Sequence, residues 1–262
     1  IQGNRTTRES FFRKRLSVQE GGLIDLPRLE QDLLRFNALY DAQVKALLNP
    51  GKDFGTTDVV INVDEPRTYE GFVYADNTGR DETGQERTGL VLARNSLFGI
   101  RDQLSIGGIL AEGTRGYNIN YNAPLNTRGT RLGLSYDQAD VEVKSGALKD
   151  LNIEGDSTVS SFVVSHPVLI KALMKFSGFF GYNIKTSTTL SNGVSLFETD
   201  VNSLLFGLDY LKYDSKGYSY AKPVLTRGLD QFSGDRQFLK FNGELTRMQQ
   251  LNERLFALIR SG

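Results

Sequence analysis

The chain of 262 residues carries 31 Lys+Arg against 31 Asp+Glu, a single His and no Cys. Those counts exclude a disulfide scaffold, a Cys-based zinc site, a thiol nucleophile and a multi-His metal centre. The balanced charge also removes the overall electrostatic excess expected of a nucleic-acid binder or a polybasic membrane-surface protein, and the length suits one or two domains.

A membrane helix needs roughly 18 or more successive apolar residues. The longest candidate, Phe162–Phe180, is interrupted by Ser165, His166, Pro167, Lys171 and Lys175, so no transmembrane helix is expected. A barrel strand needs only about ten residues of alternating polarity and leaves little trace in bulk hydropathy. The 27 Gly, 16 Phe and 11 Tyr suit such strands, and equally a soluble β protein. No basic, apolar and small-residue leader pattern precedes Ile1, so the expectation is a chain cut at its start. Lack of Cys suits an oxidising compartment.

In chain order, Ile1 reads as the tail of a strand before Gly3-Asn4. Thr6 and Glu9 have the spacing of a capping box, ahead of a short basic helix carrying Phe11, Phe12 and Leu16 that ends before Gly21-Gly22. A second helix follows, capped by Asp25 with Pro27 in its first turn; Leu26, Leu29, Leu33, Phe36 and Tyr40 recur on one face, which predicts core. Residues 43–48 alternate with Val44, Ala46 and Leu48 on one face, and 58–64 with Val59, Ile61 and Val63, the turn between them starting at Asn49-Pro50-Gly51. The order strand, helix, helix, strand, strand predicts a small α+β module over residues 1–66.

Beyond Pro66 the period changes to two, which predicts eleven strands near 69–76, 87–94, 103–111, 115–122, 130–142, 157–166, 173–186, 201–212, 217–225, 237–247 and 253–260. Tyr117, Ile119 and Tyr121 oppose Asn118, Asn120 and Asn122; Leu132, Leu134 and Tyr136 oppose Arg131, Gly133 and Ser135. Leu204, Phe206, Leu208 and Tyr210 oppose Leu205, Gly207 and Asp209, and Leu239, Phe241 and Leu245 oppose Lys240, Asn242 and Glu244. Such faces serve a soluble sheet over a core or a transmembrane barrel with its greasy side toward lipid. Connections 77–86, 143–156, 187–200 and 226–236 are long and polar and each joins an odd strand to the next even one. They therefore fall at one end, while 124–129, 167–172 and 213–217 are tighter turns at the other, an asymmetry that favours the membrane barrel. An odd strand count predicts that the sequence stops inside the barrel. The second domain expected is thus 67–262, and the fold class is mainly β, an incomplete antiparallel transmembrane barrel behind a small α+β module.

Asp76-Asn77-Thr78-Gly79, Gly84, Asn95-x-Leu97-Phe98-Gly99-x-x-Asp102-Gln103-Leu104 and Tyr121-x-x-Pro124-Leu125-x-x-x-Gly129 resemble the early barrel of two-partner secretion transporters, the haemolysin-activator and filamentous-haemagglutinin transporter group. Gly3-Asn4 and Glu20-Gly21-Gly22 through Leu26-x-x-Leu29 resemble that family's second POTRA module, and Gln237–Leu251 its mid-barrel pattern. The resemblance implies an outer-membrane barrel with two periplasmic POTRA modules that secretes one large β-helical exoprotein as an unfolded chain. It also implies a plug helix, a linker, a first POTRA module, an inward-folding loop with an arginine motif, and final strands. None of these matches a segment here, so the family's functional arginine is carried onto no residue.

The implied partners are an unfolded exoprotein and outer-membrane lipid, with no cofactor, no nucleic acid, no small-molecule substrate and no enzymatic activity. The client is expected to add as a strand to the module edge at Gln43, Val44, Lys45, Ala46 and Leu47, beside a groove lined by Arg28, Arg35 and Phe36. The same Val44 and Phe36 also read as plain core, and the two arginines as solvated. Asn118, Asn120, Asn122, Arg131, Lys240, Asn242 and Glu244 are the expected pore lining, or else simple filling of a barrel interior. His166 reads as a structural or solvent residue, and Asp64-Glu65 and Asp81-Glu82 have no companion for acid–base work. Gly107-Gly108 lacks the strand-to-helix context of a nucleotide loop, and Asn4-Arg5-Thr6 is a sequon without meaning in a bacterium. Two other functions share the pattern: an outer-membrane insertase of the same superfamily, and a soluble β-rich adhesin or carbohydrate-binding protein.

Overall fold

A computed structural model describes residues 1–229, 237–252 and 255–261. Helix α1 (Glu9–Arg13) and helix α2 (Leu26–Leu39) precede a hairpin of β1 (Gln43–Pro50) and β2 (Thr57–Asp64). Gln2 lies along β2 on the side away from β1, its N–H donating to Ile61 O and its carbonyl accepting from Val63 N, both at 2.8 Å. Asp25 caps α2 through Arg28 N at 3.1 Å, and Pro27 sits in the first turn. Leu29, Phe36 and Tyr40 turn inward with Phe11, Phe12, Val44, Ile61 and Val63, whereas Leu26 is left exposed. Phe12 stacks on Phe36 with centroids 5.4 Å apart, and Phe11 meets Tyr40 edge-on at 5.1 Å.

The capping box at Thr6 does not form. Helix α1 starts at Glu9 without a side-chain cap, because the Thr6 hydroxyl donates instead to Glu65, 59 residues away in the chain. A distant carboxylate outcompetes the local helix end.

The remaining strands are β3 (Tyr69–Asp76), β4 (Arg87–Asn95), β5 (Gln103–Ala111), β6 (Thr114–Pro124), β7 (Arg131–Glu142), β8 (Ile153–Lys171), β9 (Met174–Ser191), β10 (Val194–Asp214), β11 (Gly217–Leu229), β12 (Leu239–Gln250) and β13 (Phe256–Ser261). They form one antiparallel sheet of eleven strands in chain order, each paired with its successor. The number matches the period-2 count, and the lengths differ. Residues 187–200 are a hairpin and not a long loop: β9 and β10 continue to a two-residue turn at Asn192-Gly193, both with positive φ (48° and 76°) as a type I′ turn requires. The 143–156 connection shortens to 143–152, with a 3₁₀ turn at Lys149–Leu151. Pro167 lies within β8 at a register shift before Leu169, a position where its missing N–H disrupts no regular ladder. Of the 226–236 connection, 226–229 belong to β11 and 230–236 lie outside the described residues.

Connections 77–86, 112–113 and 143–152 pack together at one end: Gly113 N donates to Thr83 O at 2.9 Å and Lys144 N to Glu82 O at 2.7 Å. The connections 96–102, 125–130, 172–173 and 215–216 lie at the opposite end, the first two against the helical module. Because 112–113 and 192–193 are two-residue turns at the end of the long connections, loop length separates the two ends less sharply than the sequence led one to expect. Among the described residues no helix is long and apolar enough to cross a membrane.

Candidate functional site

Cross-strand register sorts the sheet into two faces, since side chains of paired residues share a face and neighbours alternate. One row runs Leu132, Val164, Phe180, Phe206, Leu225, Phe241 across six strands. Beside it run Leu104, Tyr121, Leu134, Phe162, Tyr182, Leu204 and Ile106, Ile119, Tyr136. These side chains have no protein layer over them: Phe206 is 48% exposed, and Tyr117, Ile119, Leu134, Phe162, Phe180, Leu208 and Phe241 are exposed as well. A water-facing surface of this extent would be costly; single exposed apolar residues are normal, a contiguous field over many strands is not.

The opposite face carries the row Ser105, Asn120, Ser135, Ser161, Asn183, Ser203, short and uncharged throughout. Asn118, Asn122, Lys240, Asn242 and Glu244 share that face. The Asn118 amide fits there because Gly107 is opposite; a Cβ at residue 107 would come within 2.5 Å of Asn118 Oδ1. Glu244 pairs with Arg260 at 3.0 Å. Arg131 lies on the same face at its lower margin, where its guanidinium donates to Asn122 Oδ1 and to Arg101 O. It belongs to a junction with the helices rather than to open wall.

That junction is the feature sequence reasoning missed. Arg101 ends the β4–β5 turn with φ +58°, its guanidinium 1% exposed. Nε donates to Asp41 Oδ1 at 2.7 Å, and Nη1 lies 3.4 Å from Thr7 Oγ1 and 4.0 Å from Glu65 Oε2. Around it, Arg8 N donates to Gly99 O at 2.9 Å, Arg15 to Asn126 O at 3.2 Å, Arg35 to Arg128 O at 2.6 Å and Lys175 to Ala38 O at 3.4 Å. Lys175 projects from the polar face, so the helices sit at the turn end of that face. The motif Asn95 to Leu104 acquires its physical meaning here. Asp102 accepts from Phe98 N at 3.0 Å and Tyr121 Oη at 3.1 Å, and Asn95 donates to Arg67 O at 2.8 Å, which shapes the turn that presents Arg101. His166 accompanies Thr130 at 2.8 Å beside the next turn.

Burial pushes the Glu65 carboxyl up, but amide and hydroxyl donors of Thr6 and Thr7 outweigh that and bring it down to about 2. A depressed carboxylate contributes stability that is present above its unfolded value near 4.5 and is lost as pH falls toward about 2. Protease resistance of the junction should therefore decline between pH 4.5 and 2, and Glu65→Gln should flatten that decline; an unchanged acid profile would contradict the assignment.

At β1, the ladder with β2 alternates. Ile61 and Val63 bond Gln2, so they and their partners Ala46 and Val44 form the non-bonded pairs, and the N–H and C=O of Val44, Ala46 and Leu48 point outward. Gln43, Lys45 and Leu47 bond β2. Val44 is already taken: its N–H donates to Asn37 Oδ1 at 2.7 Å and its carbonyl accepts from Asn37 Nδ2 at 3.0 Å. Phe36 is 2% exposed in the core, so it backs the helix and does not line a groove. Arg28 is exposed, and Arg35 is engaged with the β6–β7 turn.

A family model described as haemolysin secretion/activation protein ShlB/FhaC/HecB matches residues 55–257. The heme/hemopexin transporter protein HuxB of Haemophilus influenzae is 23% identical over 246 residues, 90% of this chain and 43% of that protein. Among solved structures, CdiB from Escherichia coli superposes with TM-score 0.78 at 20% identity, over 97% of this chain and 51% of that one. BamA from Haemophilus ducreyi lacking POTRA domains 1–3 gives 0.61 at 16% identity, over 96% and 51%. These structural likenesses establish the barrel fold, and the chain spans about half or less of the length of each relative. With a family match over more than half its length, laid on an eleven-stranded sheet greasy on one face and polar on the other, the chain belongs to the ShlB/FhaC/HecB haemolysin secretion/activation family.

Proposed function

We propose that this chain forms part of an outer-membrane conduit that passes a large unfolded exoprotein to the cell surface. In this reading residues 1–66 are a periplasmic POTRA module that takes hold of the client, and residues 67–262 supply part of the barrel wall. The observation that carries it is the pairing of a continuous exposed apolar face with a polar face whose turn end adjoins the module. Lipid covers the first face. The second gives a wet wall with little net charge, which lets a polypeptide slide without a trap. Asn118, Asn120, Asn122, Lys240, Asn242 and Glu244 line the passage, and Arg131 holds its entrance to the module. No catalytic step and no cofactor is assigned.

The BamA likeness keeps the insertase function within the same fold, and the family match favours secretion. In the full-length protein, single Cys at Arg80, Asp150 or Asn192 should react with an impermeant maleimide on intact cells, while Cys at Arg128 or Lys216 should react only after the outer membrane is breached. The native absence of Cys keeps the background clean. The opposite labelling pattern would reverse the topology and remove the conduit reading.

A further inference from the structure

The outward edge of β1 is bounded on both sides. Asn37, reaching from α2, satisfies both main-chain groups of Val44 with one amide, as a neighbouring strand would. Three outward positions later stands Pro50, which has no N–H to offer. Between them Ala46 and Leu48 present the open donors and acceptors of two ladder rungs, next to Leu47 and Leu48, 51% and 45% exposed. Unpaired strand edges call for one kind of occupant, another extended backbone.

We propose that Asn37 is a register stop that confines an incoming extended polypeptide to the Ala46–Leu48 window of β1. The assignment rests on the proposed docking of an unfolded client at this module. A window of two rungs holds a chain by a few main-chain hydrogen bonds and requires no particular side chains. Such a grip is short-lived, which suits a segment that must move on. The same stop keeps β1 from zipping onto a long strand of another molecule.

It follows that neither Val44 nor Lys45 is the informative position for proline, since the N–H of one serves Asn37 and that of the other serves β2. The test uses full-length protein in detergent and a labelled peptide of alternating Thr and Val with Lys at each end, followed by fluorescence anisotropy. Asn37→Ala frees one further rung and should tighten peptide binding about tenfold. Adding Val44→Pro to Asn37→Ala should return the affinity toward wild type, and Ala46→Pro should abolish binding. Amide exchange gives the reading that needs no peptide: Val44 slow in wild type and fast in Asn37→Ala, Ala46 and Leu48 fast in both, with Val63 slow throughout as the control for folding. Asn37→Asp, which still accepts from Val44 N–H, should fall between wild type and Asn37→Ala.

Unchanged affinity in Asn37→Ala with binding lost in Ala46→Pro would overturn the register stop and leave docking at the edge intact. Unchanged affinity in both would remove docking at this strand, and the stop with it. A fast Val44 amide in the wild type would equally overturn the proposal.

Discussion

Arginine at Phe206 should cost about 2–4 kcal/mol of barrel stability if that face meets hydrocarbon near mid-depth. Phe206 has Phe180 packed beside it with centroids 5.1 Å apart and Leu225 as its other cross-strand neighbour, so a guanidinium there finds no carboxylate and little water. Arginine at Asn120 should cost about 0.5 kcal/mol or less, because the row around it is hydroxyl and amide and open to solvent. Urea unfolding of the full-length protein in lipid vesicles, followed by heat-modifiable migration, separates the two. Equal penalties on both faces would mean that a protein layer, not lipid, covers the Phe206 side.

Replacing Arg101 by Ala should loosen the helical module from the sheet by about 3 kcal/mol, the low end of what removing one partner of a buried ion pair costs. The low end applies because Asp41 is half exposed and Glu65 keeps the donors of Thr6 and Thr7. Spin labels at Glu30 and Lys216 should give one narrow distance in the parent protein and a broad distribution in Arg101→Ala. Arg35→Ala, which removes an exposed bond to Arg128 O, should change that distribution little. A narrow distribution in Arg101→Ala would show that the apolar contact of Ile100 with the aromatic core suffices to hold the module.

The strand count and both faces were legible because alternation is a local signal, carried by single strands such as Tyr117 to Asn122. Strand ends were harder. In the outer parts of β8, β9 and β10, Ser, Thr, Asp and Glu are mixed with Ile153, Leu190, Val194, Leu196 and Phe197 without strict alternation, so the contrast that marks a strand fades while the ladder continues. Asn192-Gly193 was the available signal for that hairpin. Thr6, Arg101 and Asn37 could not be read at all: each acts on a partner brought near only by folding, Glu65, Asp41 and an outward rung of β1. Phe36 shows the reverse case: of its two readings, the helix stripe already pointed to core, and its 2% exposure agrees with that reading and not with the groove.

The length of β8, β9 and β10 has a consequence outside the membrane. They run 19, 18 and 21 residues, against about ten needed to cross hydrocarbon. Their lower ends are fixed, since Lys175 near the start of β9 already touches α2. The surplus of about eight to eleven residues, at about 3.3 Å each along the strand, therefore rises on the far side. There it forms a stiff parapet, hydrogen-bonded strand to strand, rich in Ser and Thr but with Val194, Leu196 and Phe197 exposed near the tip of β10, that would stand on the order of 20 Å above the lipid. Anything large that comes to the cell surface at this point, an antibody or a phage tail, would meet a rigid rampart before it met a bilayer.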